Sequence, residues 1–224
     1  MRLDYRVKVV LLLLSGLAIL VAGNVGYAAL NTLSQLDVVE AQRNQWQRPG
    51  NVIQALGLSL GNVVADVGCG SGYFTLKLSA PVGSQGRVIA EDIRKLPLAF
   101  LWIRTVTRRE RNVHLVLGDD DDPRLPAKGV NAILISNTYH EFGNARAILG
   151  HLSQSLVDGG TLVVVDREPK TSNDQSQMGE HEISAERVEM ELQQAKFAIV
   201  KRQDHFIESV PDHETWWLIV ARNP

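Results

Sequence analysis

Short apolar runs rich in Val, Ile and Leu alternate along this chain with stretches where apolar residues return every three or four positions. The runs are Asn62 to Ala65, Arg87 to Ile93, Val113 to Leu117, Asn131 to Ser136 and Thr161 to Asp166. Each is β-branched and bounded by glycine or polar residues, the pattern of a strand buried on both faces. Between the runs the period lengthens to that of a helix. Phe74 and Leu78 share one helical face, and Leu96 to Arg108 predicts a crossover helix with Pro97 tolerated in its first turn. Ala145 to Leu156 aligns Ile148, Leu149, Leu152 and Leu156 and stops at glycine. Ser184 predicts the N-cap of a last helix striped by Val188, Leu192 and Ala195, with Ile183 at staple spacing. Terminal strands near Ile199–Gln203 and Trp216–Ala221 would add an antiparallel hairpin. Trp216 and Trp217 alternate faces, so one is expected in the core and the other exposed. The sum is an α/β fold with a seven-stranded, mostly parallel sheet and helices on both faces.

The N-terminus breaks this rhythm. Arg2, Arg6 and Lys8 precede a stretch from Val9 to Leu36 without charge, and Val9 to Leu30 is mostly apolar. About 20 apolar residues span a bilayer, so one hydrophobic N-terminal helix is predicted before the domain. A secretory signal with Gly26 and Ala28 near the cleavage point is the other reading. The expected division is residues 1–30 as membrane anchor or signal, 31–50 as linker, and 51–224 as the globular domain. The expected location is the membrane, through a single N-terminal span, or export. The basic residues before the span favour a cytoplasmic N-terminus and a domain on the far side, whereas a hairpin or interfacial anchor would leave the domain inside; the sequence leaves both open. Val52-Ile53-x-x-Leu56-x-Leu58 opens the domain as a short amphipathic helix. Leu98, Phe100, Leu101, Trp102, Ile103 and Val106 make the second crossover helix apolar on several faces before Arg108-Arg109-Glu110-Arg111. It either packs on the sheet with a solvated basic end or touches a membrane.

Composition adds exclusions. A net charge of −2 and scattered basic residues without aromatic interleaving argue against nucleic acid as a partner. The single cysteine, Cys69, rules out an intramolecular disulfide and reads as a small filler.

The chemistry concentrates at strand ends. Asp66-Val67-Gly68-Cys69-Gly70-Ser71-Gly72 falls between the first strand and the first helix, where glycine lets a ligand reach the main chain. A dinucleotide fingerprint would want glycine or alanine at position 73, and Tyr73 stands there, against a nucleotide-dependent oxidoreductase. Glu91 and Asp92 end the second strand about twenty residues past the glycines, where a carboxylate accepts both ribose hydroxyls of an adenosine. Asp92 is favoured, because only one of two consecutive strand residues faces the crevice.

From about Gln47 to Ala221 the chain resembles a class I S-adenosylmethionine-dependent methyltransferase of the small-molecule type, in a bacterial subgroup with a hydrophobic leader. The resemblance is carried by Asp66 to Phe74, Asp120 to Pro126, Asn137-Thr138-Tyr139-His140-Glu141-Phe142, Leu156 to Gly160 and Glu182-Ile183-Ser184. Lys196 departs from it, standing where the last helix usually closes with glycine. The resemblance implies a Rossmann-like fold and S-adenosyl-L-methionine as cofactor. It implies Gly68, Gly70 and Gly72 beneath the cofactor, Asp66 facing its ammonium or capping the turn, and Asp92 on its ribose. Asp119 or Asp120 would lie near the adenine amino group, or else in a solvated acidic turn; Asn137 is counted among the cofactor contacts. His140 is the candidate base, or else a hydrogen-bonding strut at the strand-to-helix corner, with Glu141 beside it and Tyr139 walling the sulfonium. No metal site is predicted; a pairing of His181 with Glu182 is the weaker alternative there. The expected function is in-line methyl transfer to a small-molecule acceptor, with oligomeric state unassigned. The alternative is a non-catalytic or degenerate cofactor-binding module of the cell envelope.

Overall fold

The computed structural model describes residues 5–169, 182–208 and 214–224, and in the first helix the side chains of 5–13, 16–18, 22 and 25 lie outside the description. Glu180 and His181 also lie outside it. Two compact units divide the chain, residues 1–43 and 44–224.

Helix α1, Tyr5–Trp46, begins in the first unit and ends in the second. Residues 31–46, expected as linker, are helical. Gln35, Glu40, Ala41, Gln42 and Arg43 are good helix formers, and the first residue that forbids continuation is Pro49. Among the described residues no helix is long and apolar enough to cross a membrane. This overturns the membrane location expected from a single N-terminal span. The described side chains of α1 mix Leu14, Ile19, Leu20 and Val21 with Ser15, Asn24 and Thr32. Asn24 and Thr32 donate back to the carbonyls of Leu20 and Ala28, at 2.8 and 3.0 Å.

In the second unit α2 (Pro49–Ala55) leads into a seven-stranded sheet of order β3-β2-β1-β4-β5-β7-β6. The strands are β1 Val63–Val67, β2 Arg87–Asp92, β3 Val113–Leu117, β4 Val130–Ser136, β5 Leu156–Arg167, β6 Ala198–Ile207 and β7 Trp216–Arg222. Strands β1 to β5 pair in parallel, and β7 runs antiparallel to both β5 and β6. The crossover helices are α3 Thr75–Val82, α4 Lys95–Arg108, α5 Ala145–Ser155 and α6 Ala185–Gln194. Strand alternation builds a core on each face. Ile133 and Ile135 meet Ile148, Leu149, Leu152, Val188 and Leu192 on one side. Ala132 and Leu134 share the other with Val52, Leu56, Phe74 and Leu78.

Local detail adds to the sequence reading and in one place corrects it. Strand β5 starts at Leu156, ahead of the apolar run from Thr161, and takes in Asp158-Gly159-Gly160 as an irregularity opposite Val130 and Ala132, with Gly159 at φ +70°. Both tryptophans are buried. Trp217 donates its indole N–H to the Ile183 carbonyl at 2.8 Å, and Trp216 packs on Trp46 with ring centroids 5.8 Å apart. An aromatic on the second face of a sheet is covered when a helix end lies over it. Helix α4 buries Leu98 and Leu101 against the sheet while Trp102 and Val106 stay exposed.

Candidate functional site

Strand β1 has β2 on one side and β4 on the other, so the sheet order reverses there. Crevices outside strand carboxyl ends at such a point are where open α/β sheets take ligands. Gly68, Gly70 and Gly72 leave β1 with φ values of +70°, +55° and +94°, all in the left-handed region. They do different jobs. A Cβ on Gly68 would lie 2.2 Å from Thr138 Cγ2, and one on Gly72 would lie 2.3 Å from Leu101 Cδ1. A Cβ on Gly70 would meet nothing within 4 Å. Two glycines thus allow close packing, and the third faces open space. The buried Arg104 of α4 donates from Nη1 to the Ser71 carbonyl at 2.7 Å and pins the loop's outer edge. Burial pushes the Cys69 thiol well above its ordinary range, with Asp66 next in effect, so Cys69 fills space.

A cavity of about 300 Å³ opens over these ends. Val67, Gly68, Glu91, Asp92, Ile93 and Arg94 form one wall. Asp119, Asp120, Asp121 and Pro123, after β3, form another. Thr138, Glu141, Phe142, Gly143 and Ile148 close the third. The buried Asp92 accepts the Gly70 N–H at 2.8 Å and the Arg94 N–H at 2.8 Å. Glu91 is buried too and accepts the Gly68 N–H at 3.4 Å. Burial pushes the Glu91 carboxyl up to about 8; the Gly68 amide opposes this, and the charges of Asp92, Asp66 and Asp122 add to it. Gly118 makes room for it, since a Cβ there would lie 1.9 Å from Glu91 Oε1. Asp119 pairs with Arg124 at 3.0 Å on the exposed rim.

The β4 end turns sharply. Asn137 sits at φ +56°, a left-handed position that Asn tolerates better than most residues. The 3₁₀ turn Tyr139–Glu141 follows. Tyr139 is buried in the core, donating its hydroxyl to Glu191 Oε2 at 2.8 Å. His140 Nδ1 lies 2.8 Å from Asp166 Oδ1, Asp166 Oδ2 accepts the His140 N–H at 3.2 Å, and both side chains are buried. A carboxylate only accepts, so Asp166 fixes the Nδ1–H form of the ring. His140 Nε2 lies 3.8 Å from Glu141 Oε1, at ion-pair range.

Residues 64–160 match the profile of a methyltransferase domain family. The matched segment runs from β1 through the glycine loop to the start of β5. The chain is similar to a demethylmenaquinone methyltransferase of Shouchella clausii (strain KSM-K16), with 30% identity over 93 residues. That alignment covers 42% of this chain and 37% of the relative's length. Its fold is similar to a SAM-dependent methyltransferase from Aquifex aeolicus, with a TM-score of 0.71 and 22% identity over 86% of this chain and 98% of that one. It is also similar to geranyl diphosphate C-methyltransferase from Streptomyces coelicolor A3(2), solved with Mg²⁺, geranyl diphosphate and S-adenosyl-L-homocysteine. There the TM-score is 0.67 with 14% identity, over 80% of each chain.

Of the residues singled out in the sequence, the cavity brings together Gly68, Asp92, Asp119, Asp120 and Glu141. Four others stand behind it. Asp66 is buried and accepts the Thr75 hydroxyl at 2.6 Å, tying β1 to the start of α3, so its turn-capping reading is the one the geometry displays. Tyr139 is core rather than a wall for the sulfonium, because its ring packs on Phe142 with centroids 5.1 Å apart. His140 is held under the surface by Asp166 and does not line the cavity. Asn137 is off the wall, but its Oδ1 and the Ser136 Oγ are buried without a hydrogen-bond partner among the described residues. Orphaned acceptors at a strand end, with open space over Gly70, suit a ligand rich in hydroxyl and amino donors such as S-adenosylmethionine. Sequence reasoning missed Asp166, Arg94 and Arg104 and set Glu91 aside. Asp166 ends an apolar run as Asp92 does, which was the available signal.

Proposed function

We propose that the chain transfers a methyl group from S-adenosylmethionine to a small-molecule acceptor, with both held in the cavity at the carboxyl ends of β1, β2 and β4. The observation that carries this reading is the buried Asp92 beside the open face of Gly70. The cofactor supplies a methyl group already activated on a sulfonium, so the protein's work is orientation, exclusion of water and proton removal. Asp92 accepts the ribose hydroxyls, and Gly68 and Gly70 let the main chain come close. Asp119 or Asp120 accepts from the adenine amino group. Asn137 Oδ1 is available as a further acceptor. The carboxylates around the cavity favour a positively charged ligand over a neutral one.

Glu141 is the side chain placed to take a proton from the acceptor, since it lines the cavity while His140 does not. His140, oriented by Asp166, supports Glu141 from behind. Phe142, Ile148 and Pro123 give the acceptor side an apolar lining. Replacing Asp92 by Ala is expected to weaken S-adenosylhomocysteine binding more than tenfold, measured by calorimetry. Unchanged affinity would remove the ribose assignment.

A further inference from the structure

Asp92 is fully engaged by protein donors. Oδ1 accepts the Arg94 N–H at 2.8 Å and Arg94 Nε at 3.1 Å. Oδ2 accepts the Gly70 N–H at 2.8 Å and Arg94 Nη2 at 3.3 Å. A carboxylate offers about four lone-pair sites, so two ribose hydroxyls cannot be added without displacing a donor. The two main-chain donors are fixed by the glycine loop and by the turn into α4. The guanidinium is not, because the Arg94 side chain is 57% exposed on a long flexible stem while Asp92 is 2% exposed. A second carboxylate, Glu141, lines the same cavity and its charge reaches Arg94. The hydrogen bond to Asp92 is the largest influence holding Arg94 charged.

We propose that Arg94 is a latch on the ribose site: its guanidinium holds Asp92 while the cofactor is absent, leaves as the ribose hydroxyls take over the carboxylate, and turns toward Glu141 on the acceptor side. The proposal rests on the reading of Asp92 as the ribose acceptor. Cofactor binding then works against a bidentate ion pair, so affinity is lower than the pocket alone would give. Once displaced, the cation neutralises Glu141, and the acceptor side reaches its working charge only after the cofactor is seated. Cofactor therefore binds before acceptor.

Calorimetric titration of the full chain and its Arg94→Met variant with S-adenosylhomocysteine tests this. Removing the guanidinium is expected to tighten binding by about two- to fivefold, the range of one partly exposed ion pair. Arg94→Lys, which keeps the charge and loses the fork, is expected to fall between the two. In an Asp92→Asn background the Arg94→Met change is expected to have no effect, since the latch then has no carboxylate to hold. A loss of structure would not tighten binding. Equal or weaker affinity of Arg94→Met, with the wild-type chain binding normally, overturns the latch. Absence of binding by folded wild-type and variant chains alike overturns the reading of the site itself.

Discussion

Glu91 and Asp92 are adjacent acids with different jobs, and the difference is made by their neighbours. Asp92 has two main-chain amides and a guanidinium; Glu91 has one long amide contact and three nearby carboxylates. Burial, with those carboxylates adding to it, pushes the Glu91 carboxyl up to about 8 in the folded chain, against an ordinary value of 4.5. The folded state binds this proton more tightly than the unfolded state. Stability from Glu91 is thus fully present below about 4.5 and lost as pH rises to about 8. Glu91→Gln lacks that titration, so its stability relative to the wild-type chain should rise across this window. Denaturant unfolding near pH 5 and near pH 8 would show the difference; a gap independent of pH would contradict the assignment.

The glycines allow a sharper contrast at the same scale. Gly72→Ala drives a methyl into Leu101, besides straining a left-handed backbone, and is expected to cost about 1–3 kcal/mol of stability. Gly70→Ala carries the backbone strain but no clash, and on the proposed placement of the cofactor its added methyl would stand in the ligand's way. Binding should therefore fall in Gly70→Ala by more than its loss of stability accounts for, which paired titration and unfolding measurements would reveal.

At the scale of the element, α6 shows how a sequence departure becomes a structural cost. Ser184 accepts the Arg187 N–H at its N-terminus, and Val188 and Leu192 are buried as their spacing requires. At the other end the Phe197 N–H bonds to the Leu192 carbonyl at 3.0 Å, and Lys196 is forced to φ +70°. A glycine adopts that conformation without the Cβ penalty. Lys196→Gly is expected to stabilise the domain by about 1 kcal/mol, seen as a rise in Tm; a fall would mean that the lysine side chain contributes packing. The strand-to-turn corner after β4 was harder to read. Polarity at a strand end marks Tyr139, His140 and Glu141 equally, whereas their directions are set by a 3₁₀ turn and by partners on α6 and β5. Only Glu141 ends on the cavity wall.

For the whole molecule, strand order and ligand crevice follow from periodicity, because β1, β2, β4 and most of β5 are buried on both faces and the alternation of strands with helices leaves few topologies. The glycine loop was legible because left-handed backbone selects glycine. Arg94, Arg104 and Asp166 were not, since each acts through a partner distant in sequence or through a contact that spacing does not encode. The N-terminal apolar run misled for a related reason. Hydropathy reports composition, whereas the described α1 continues without interruption into the polar stretch ending at Trp46. The central claim is that this fold still holds its cofactor. Calorimetric titration of the full chain with S-adenosylmethionine tests it most directly. The account predicts stoichiometric binding in the micromolar range that Asp92→Ala abolishes or weakens more than tenfold. A folded chain that takes up no S-adenosylmethionine would contradict it.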